Sequence, residues 1–500
     1  MIRAGVLTVA RLVLLAGPTA LAFFTGGYFP EAQAWAGLVL WLLVAVAMAA
    51  VPWPPRLGRP FWLAAGGLLL LALWSLLSMT WAPIRGSAYH AGQLVMVYLG
   101  ALAAAALLLG DSRIRRWVEP ALAFGTVIVI GYGLSGRLLP GPLHFARSLS
   151  ALGRLEQPLT YWNAMGELAA LGLVLAAGVA GDRTRPGWLR VTAAAAAAPL
   201  GMGLYVSFSR GALFACAAGL IALVVIIRRR EQLWAVVRGI CFAGLAAVAA
   251  VPFKSVTALT GSVSTRERDG AIALGLLVLV TVGAGLAQYL LERREAGGEL
   301  TLPRRSPLIA TVVIVAGLAL AIVVGAHETS GTATPRLSGG ATRLASLRSD
   351  RYDYWSVSLR AFGTEPLHGV GAGGWGVYWL RWRTIPEGAR DAHSLELQTL
   401  AELGLVGLAL LLVLIAGVAL GAARALRAAT PPAAAVAALI TYLVHSPLDW
   451  DWQMPAVTLI AILLAGKVLA VAGGEARYSS SAIRGASRRN TQTANTHTAA

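Results

Sequence analysis

The chain has 500 residues, 57% of them hydrophobic and 13% charged, with a mean hydropathy of +0.69 and a formal net charge of +18. Soluble domains carry about 25% charged residues, so the composition excludes a soluble globular fold, and with it the nucleic-acid role that a basic soluble chain would invite. Cys216 and Cys241 both fall in apolar runs without metal-ligand spacing and read as small buried hydrophobes.

Runs of ~20 apolar residues, the length that crosses a ~30 Å hydrocarbon core, recur from end to end. Fourteen spans are predicted: 6–25, 33–52, 61–79, 91–110, 117–135, 162–181, 189–207, 210–227, 234–252, 270–291, 307–326, 396–420, 431–447 and 454–472. The first follows Met1-Ile2-Arg3 and reads as a retained anchor rather than a cleaved signal. A tight turn at Phe208-Ser209 is all that separates the spans at 189–207 and 210–227. The fold class is therefore all-α: a polytopic transmembrane helix bundle of 12–14 spans with one long external loop containing short amphipathic helices. The predicted organisation is helices 1–11 over 1–326, the loop over 327–395, helices 12–14 over 396–472 and a disordered tail over 473–500.

Arginine sets the orientation. Alternate loops carry Arg56 and Arg59, Arg113 to Arg116, Arg183 to Arg190, Arg228 to Arg238, Arg293 to Arg305, and Arg424 with Arg427; by the positive-inside rule that side is cytoplasmic. Both termini then lie inside. The other side nonetheless holds Arg137, Arg147 and Arg154, Arg210 at the turn between two spans, and Arg336, Arg343, Arg348, Arg351, Arg360, Arg381, Arg383 and Arg390 in the long loop. Six of seven histidines, His90, His144, His327, His368, His393 and His445, fall there too. Long loops escape the orienting rule, but Arg210 has no loop to be the surface of, and an ionisable group at the mouth of two spans is a functional candidate.

Clustered guanidinium groups suggest phosphate, whose oxygens they fork onto. Outside a membrane the abundant phosphate esters are lipid-linked, so one economical ligand is a polyprenyl pyrophosphate carrying a sugar. In DRYDYWSVSLRAF, Tyr352, Trp355, Leu359 and Phe362 share one helix face, with Asp350 as N-cap and Gly363 and Pro366 as the stop. This predicts an amphipathic helix at the interface. Tyr378, Trp379 and Trp382, interleaved with Arg381 and Arg383, read as an interfacial aromatic belt. HGVGAGGWG fits G-x-G-x-x-G through Gly369, Gly371 and Gly374. Without a βαβ unit that spacing is a sharp turn, not a dinucleotide site.

Two stretches resemble the O-antigen ligase/polymerase family of bacterial membrane glycan transferases. One is SLRSDRYDYWSVSLRAFGTEPLHGVGAGGW with AHSLELQTLAELGLVGLALLL, which ends in Glu402, Gly404 and Gly407; the other is YVSFSRGALFA. GRLEQPLTYWNAMG, with Asn163, is similar to the segment before a span in that family. The match is good over roughly 150–225 and 340–420; Ser394 stands where members commonly carry Asn. The resemblance implies transfer of a glycan from an undecaprenyl-pyrophosphate carrier on the outer face of the bacterial inner (plasma) membrane, without cofactor or metal. It implies pyrophosphate binding by Arg210 and Arg351 and a catalytic role for His393.

The residues permit such chemistry. A neutral imidazole at His393 can accept the acceptor hydroxyl's proton, arginines can stabilise the leaving pyrophosphate, and backside attack would invert the anomeric centre. Glu402, two turns into the next helix, is the second catalytic candidate; pairing with Arg210 and a helix-packing or water-satisfied role are equal readings of it. Arg154, Asn163, His368 and Arg390 complete the candidate binding set. His445 precedes SPLDWDW, where Asp449 and Asp451 form an acidic outer turn whose spacing matches no common metal pattern. The expected partners are the lipid-linked glycan donor, a lipid or glycan acceptor and membrane lipid. Polymerisation differs from ligation only in its acceptor. A solute transporter is the reading of another class, disfavoured because the charges crowd one face rather than the midplane.

Overall fold

The computed structural model describes residues 2–51, 57–146, 148–294 and 350–474. The predicted span at 307–326, Arg56, Arg147, Arg304, Arg305, His327, Arg336, Arg343 and Arg348, and the tail from 475 lie outside the described residues. Within them the protein is all-α. Twelve helices are long and apolar enough to cross a membrane, and the chain is a multi-pass membrane protein.

The helices in chain order are α1 (Ile2–Ala22), α2 (Pro30–Ala50), α3 (Arg59–Leu77), α4 (Arg85–Leu108), α5 (Val118–Leu138) and α6 (Trp162–Gly181). A helix broken at Ala196 follows as α7 (Gly187–Ala195) and α8 (Ala197–Ser207), then α9 (Arg210–Ile227), α10 (Arg230–Ala250) and α11 (Val263–Arg294). The extramembrane helices α12 (Arg351–Thr364) and α13 (Trp375–Trp382) lead into α14 (Leu395–Ala425), α15 (Ala433–His445) and α16 (Pro455–Gly474). Thirteen of the fourteen expected spans coincide with one of these helices or a contiguous pair.

Burial identifies the centre. The spanning windows of α6 and α16 are 94% and 100% buried, against 28% for α1 and α10, so among the described residues the former lie in the bundle's interior and the latter at its periphery. Cys241, expected to be buried, lies exposed on α10. Helices approach closely where side chains are small: a Cβ on Gly67 of α3 would stand 2.7 Å from Leu414 N of α14, and one on Gly417 would stand 2.5 Å from Ala64 N. α15 has 13 residues, about 20 Å of rise, short of the hydrocarbon thickness. The turn that follows it is accordingly sunk in protein, with Ser446, Asp449 and Asp451 all fully buried.

α14 is interrupted. Gly404 takes φ 65°, ψ −162° inside it, a conformation open to glycine alone. The backbone groups freed by the break are taken up by the glycine-rich loop: Val370 N donates to Ala401 O (3.0 Å), Gly371 N to Glu402 O (2.8 Å) and Leu405 N to Pro366 O (2.9 Å). Irregular backbone at membrane depth survives only with such partners. The Gly369–Gly374 run is thus the sharp turn its composition predicts, with positive φ at Gly369, Gly371 and Gly373.

α12 falls where the sequence places it, but its protein-facing stripe differs. Tyr354, Val357, Ser358 and Ala361 are buried, while Tyr352 and Leu359 of the predicted stripe are exposed, Tyr352 at 62%. Trp379 corrects the belt reading: it is fully buried and stacks on Trp375 (5.6 Å, 10°), edge-on to Tyr354. Trp382 remains outside, beneath Arg360 (4.4 Å).

Candidate functional site

Four helix ends converge on the Asp449 carboxylate, which has no solvent exposure. Arg351 Nη2, from the first turn of α12, donates to Oδ2 at 2.6 Å. Oδ1 receives the Tyr161 hydroxyl at 2.6 Å, from the residue before α6, and the Trp450 backbone N–H at 3.0 Å. His393 Nδ1, at the entry to α14, lies 3.1 Å from the same oxygen. Asn163 Nδ2 donates to the Tyr161 hydroxyl at 2.7 Å, extending the chain by one bond.

Burial pushes the Asp449 carboxyl up, but Arg351 and then His393 outweigh it and hold the group well below the usual carboxylate range. Burial and the Asp449 charge push the Tyr161 phenol far up, so its hydroxyl stays a donor. The arrangement is therefore one ionised carboxylate shared by a guanidinium, an imidazole and a phenol, the charge-assisted bonds that make burying it tolerable.

The His393 ring is clamped. It stacks on Tyr354 (5.0 Å, 17°) and meets Trp450 edge-on (6.2 Å, 89°). Its backbone sits at φ 51°, costly for a residue with a Cβ, and its carbonyl accepts from Trp355 Nε1 at 3.4 Å. The helix cap is the next residue, Ser394, whose hydroxyl accepts from Leu397 N. The His393 side chain is 19% exposed and that of Arg351 16%, so both are reachable from outside the bundle.

Below Asp449 the turn is braced. Buried His445 bonds Asp451 through Nδ1 and lies 3.8 Å from Glu167 of α6. Thr458 Oγ1 donates to Asp451 O at 2.6 Å. Among the described residues no group of three or more His, Cys, Asp or Glu is arranged to hold a metal ion.

The other expected residues distribute as follows. Arg210 opens α9 after the Phe208-Ser209 turn, with Ser209 as N-cap; a Cβ on its neighbour Gly211 would lie 3.1 Å from His445 Nε2 and 3.7 Å from Leu448 Cβ, which puts it at the same end of the bundle as Asp449. Arg390 is exposed beside Tyr28, whose ring packs on Trp450 (5.4 Å). Arg154 lies over Trp162, 3.5 Å from the ring centroid, and donates to Ala151 O and Ser150 O. His368 stands apart from the Asp449 set, its ring against Trp81 (5.1 Å), Gly369 O and Glu365.

Of the two readings of Glu402, the pairing with Arg210 is not the one the structure shows. Its carboxylate accepts from Gly373 N (2.9 Å), Trp375 N (3.2 Å) and Gln398 Nε2 (3.4 Å), not from Arg210. It ties the glycine turn and the start of α13 to α14. Asp449 and Tyr161 are the residues that sequence reasoning missed. The signal available for Asp449 was the acidic turn itself, read above only for metal spacing.

Residues 253–412 match the family model described as O-antigen ligase. No curated protein matches the chain. The family implies glycosyl transfer of the O-antigen ligase or polymerase kind, acting on lipid-linked glycans. That matched segment carries both Arg351 and His393, and over it the chain is similar to the O-antigen ligase family.

Proposed function

We propose that the protein transfers a glycan from an undecaprenyl-pyrophosphate carrier to an acceptor hydroxyl at the outer face of the bacterial inner (plasma) membrane, as an inverting, metal-independent glycosyltransferase of O-antigen ligase type. The observation that carries this reading is the sharing of Asp449 by His393 and Arg351. One carboxylate sets a proton acceptor and a cation side by side at a surface both can reach.

With its Nδ1–H on Asp449, His393 presents Nε2 as the acceptor nitrogen, the tautomer fixed by the hydrogen bond on the opposite nitrogen. The acceptor hydroxyl gives its proton to Nε2 as its oxygen bonds to the anomeric carbon. The bond from that carbon to the pyrophosphate oxygen breaks, and the electron pair leaves with the phosphate. Arg351 and Arg210 meet the charge that develops there, which positioned donors in a dry site do at little reorganisation cost. Asp449, itself held by Tyr161, orients the imidazole. Arg390 and the aromatic rim of Tyr28 and Trp450 face the incoming glycan. Ligation and polymerisation use this machinery alike, and the acceptor decides between them.

The test is incubation of purified protein with a synthetic polyprenyl-pyrophosphate glycan, with and without an added lipid or glycan acceptor, read by mass spectrometry. Glycan on the acceptor is expected for a ligase, and longer lipid-linked glycan for a polymerase. Intact donor in every mixture, from protein shown to be folded, overturns the reading.

A further inference from the structure

The end of the bundle opposite Asp449 carries a compact basic patch. α5 has 21 residues and rises about 31 Å, the thickness of the hydrocarbon core. Its Leu138 end is tied to the segment before α6, where Arg137 Nη2 donates to Gly153 O at 2.7 Å. Its Val118 end therefore lies at the opposite headgroup level. Just before Val118 a single helical turn, Ser112–Arg115, is capped by Asp111, whose carboxylate accepts from Arg113 N at 2.9 Å. This turn and the two residues after it set out Arg113, Arg115, Arg116 and Trp117.

The neighbouring acids are already engaged. Asp111 faces Arg11 at 3.7 Å, Glu119 pairs with Lys467 and lies 3.8 Å from Arg185, and Asp182 takes Arg185 at 2.8 Å. Among the described residues none of these carboxylates forms a salt bridge with the side chain of Arg113, Arg115 or Arg116, and Arg113 and Arg116 are exposed. The Arg116 guanidinium lies 5.4 Å from the centroid of the Trp117 ring, a contact that orients a cation without neutralising it. Trp117 in turn stacks on Trp188 of α7 (6.4 Å, 26°), and Trp188 is 62% exposed. Indole suits the headgroup level because it turns an apolar face to acyl chains and an N–H to the polar layer.

We infer that this patch binds an anionic phospholipid, with Arg113, Arg115 and Arg116 on the phosphodiester and the Trp117–Trp188 pair against the glycerol backbone and upper acyl chain. Charge complementarity selects the anion, since guanidinium groups fork onto phosphate oxygens. The exposed indole selects a lipid over a soluble phosphate, because a soluble anion would leave the apolar surface of Trp188 in water. No residue of the patch belongs to the Asp449 set, so the inference stands apart from the transferase reading.

The full chain, purified in neutral detergent, is offered phosphatidylglycerol or phosphatidylcholine, and retained lipid is counted by native mass spectrometry. Phosphatidylglycerol is expected to be retained in preference to phosphatidylcholine, and added inorganic phosphate is expected to leave it in place. A basic residue near an anionic lipid surface contributes about fivefold, so Arg113→Ala and Arg116→Ala together are expected to weaken retention about tenfold or more. Trp188→Ala is expected to weaken it by a smaller factor and serves if the double variant fails to fold. Arg424→Ala with Arg427→Ala, which removes two exposed charges beyond the lipid patch at the end of α14, is expected to change nothing. Four results overturn the inference: equal retention of the two lipids, displacement by phosphate, undiminished retention in both patch variants, or a loss in the α14 pair as large as in the Arg113 and Arg116 pair. Because the readout is lipid retention, failure here and failure of glycan transfer are separate results.

Discussion

Two buried carboxylates anchor the extramembrane helices, and their partners differ in kind. Asp449 is surrounded mainly by side chains drawn from three other parts of the chain: Arg351, His393 and Tyr161. Glu402 receives mainly backbone N–H groups, from Gly373 and Trp375. A carboxylate that gathers a cation and an imidazole has chemistry to offer a ligand. One whose oxygens are spent on main chain fixes a shape. The difference teaches that a glutamate near the site by sequence is less informative than an aspartate brought there by the fold.

Substitutions can break that comparison. The largest effect is expected for His393→Ala, which removes the proposed base and should lower kcat by about 10²–10⁴-fold while carrier binding persists; wild-type turnover would move the base elsewhere. Arg351→Ala and Arg210→Ala should lower turnover in folded protein by a somewhat smaller factor, and full activity in either removes the pyrophosphate argument. Asp449→Asn should also cost turnover, and it should lower the melting temperature because Arg351 keeps its charge with a poorer partner, a loss of about 3–5 kcal/mol at most.

Glu402→Gln should instead lower stability by about 1–3 kcal/mol and leave turnover within a few-fold. A drop as deep as that of His393→Ala would restore the catalytic role first expected of Glu402. The pH dependence sharpens the contrast further. The Asp449 carboxyl is depressed in the folded state, so its contribution is present above the unfolded value of ~3.9 and is lost as pH falls through the lower folded value. The melting-temperature gap between wild type and Asp449→Asn should thus persist at about pH 5 and close only in stronger acid. The smallest effect is expected for EDTA, which should leave turnover unchanged; a strict divalent requirement would count against a leaving-group site made of arginines alone.

The spans were legible because length and hydropathy alone decide them, and the glycine turn because a clustered Gly run has few other uses. Arg351 and His393 were visible only through their resemblance to a family pattern. Asp449 was not, since nothing in the sequence records that a residue 56 positions beyond His393 returns to it. The main-chain partners of Glu402 were not legible either, because accepting main-chain N–H groups leaves no pattern in the neighbouring residues. In α12 both stripes are apolar and aromatic, so periodicity found the helix but not the side that packs. Tyr354 won because its ring lies against both His393 and Trp379.

The break at Gly404 has a consequence for how this chain can vary. The segment Leu395–Leu403 is pinned at its far end by the 366–371 loop and at its near end by the His393–Asp449 bond. Removing one residue between those pins would swing the imidazole by about 100° around the helix axis, away from its carboxylate. Relatives can therefore exchange residues along this stretch far more freely than they can add or drop one: here spacing, more than identity, is under constraint.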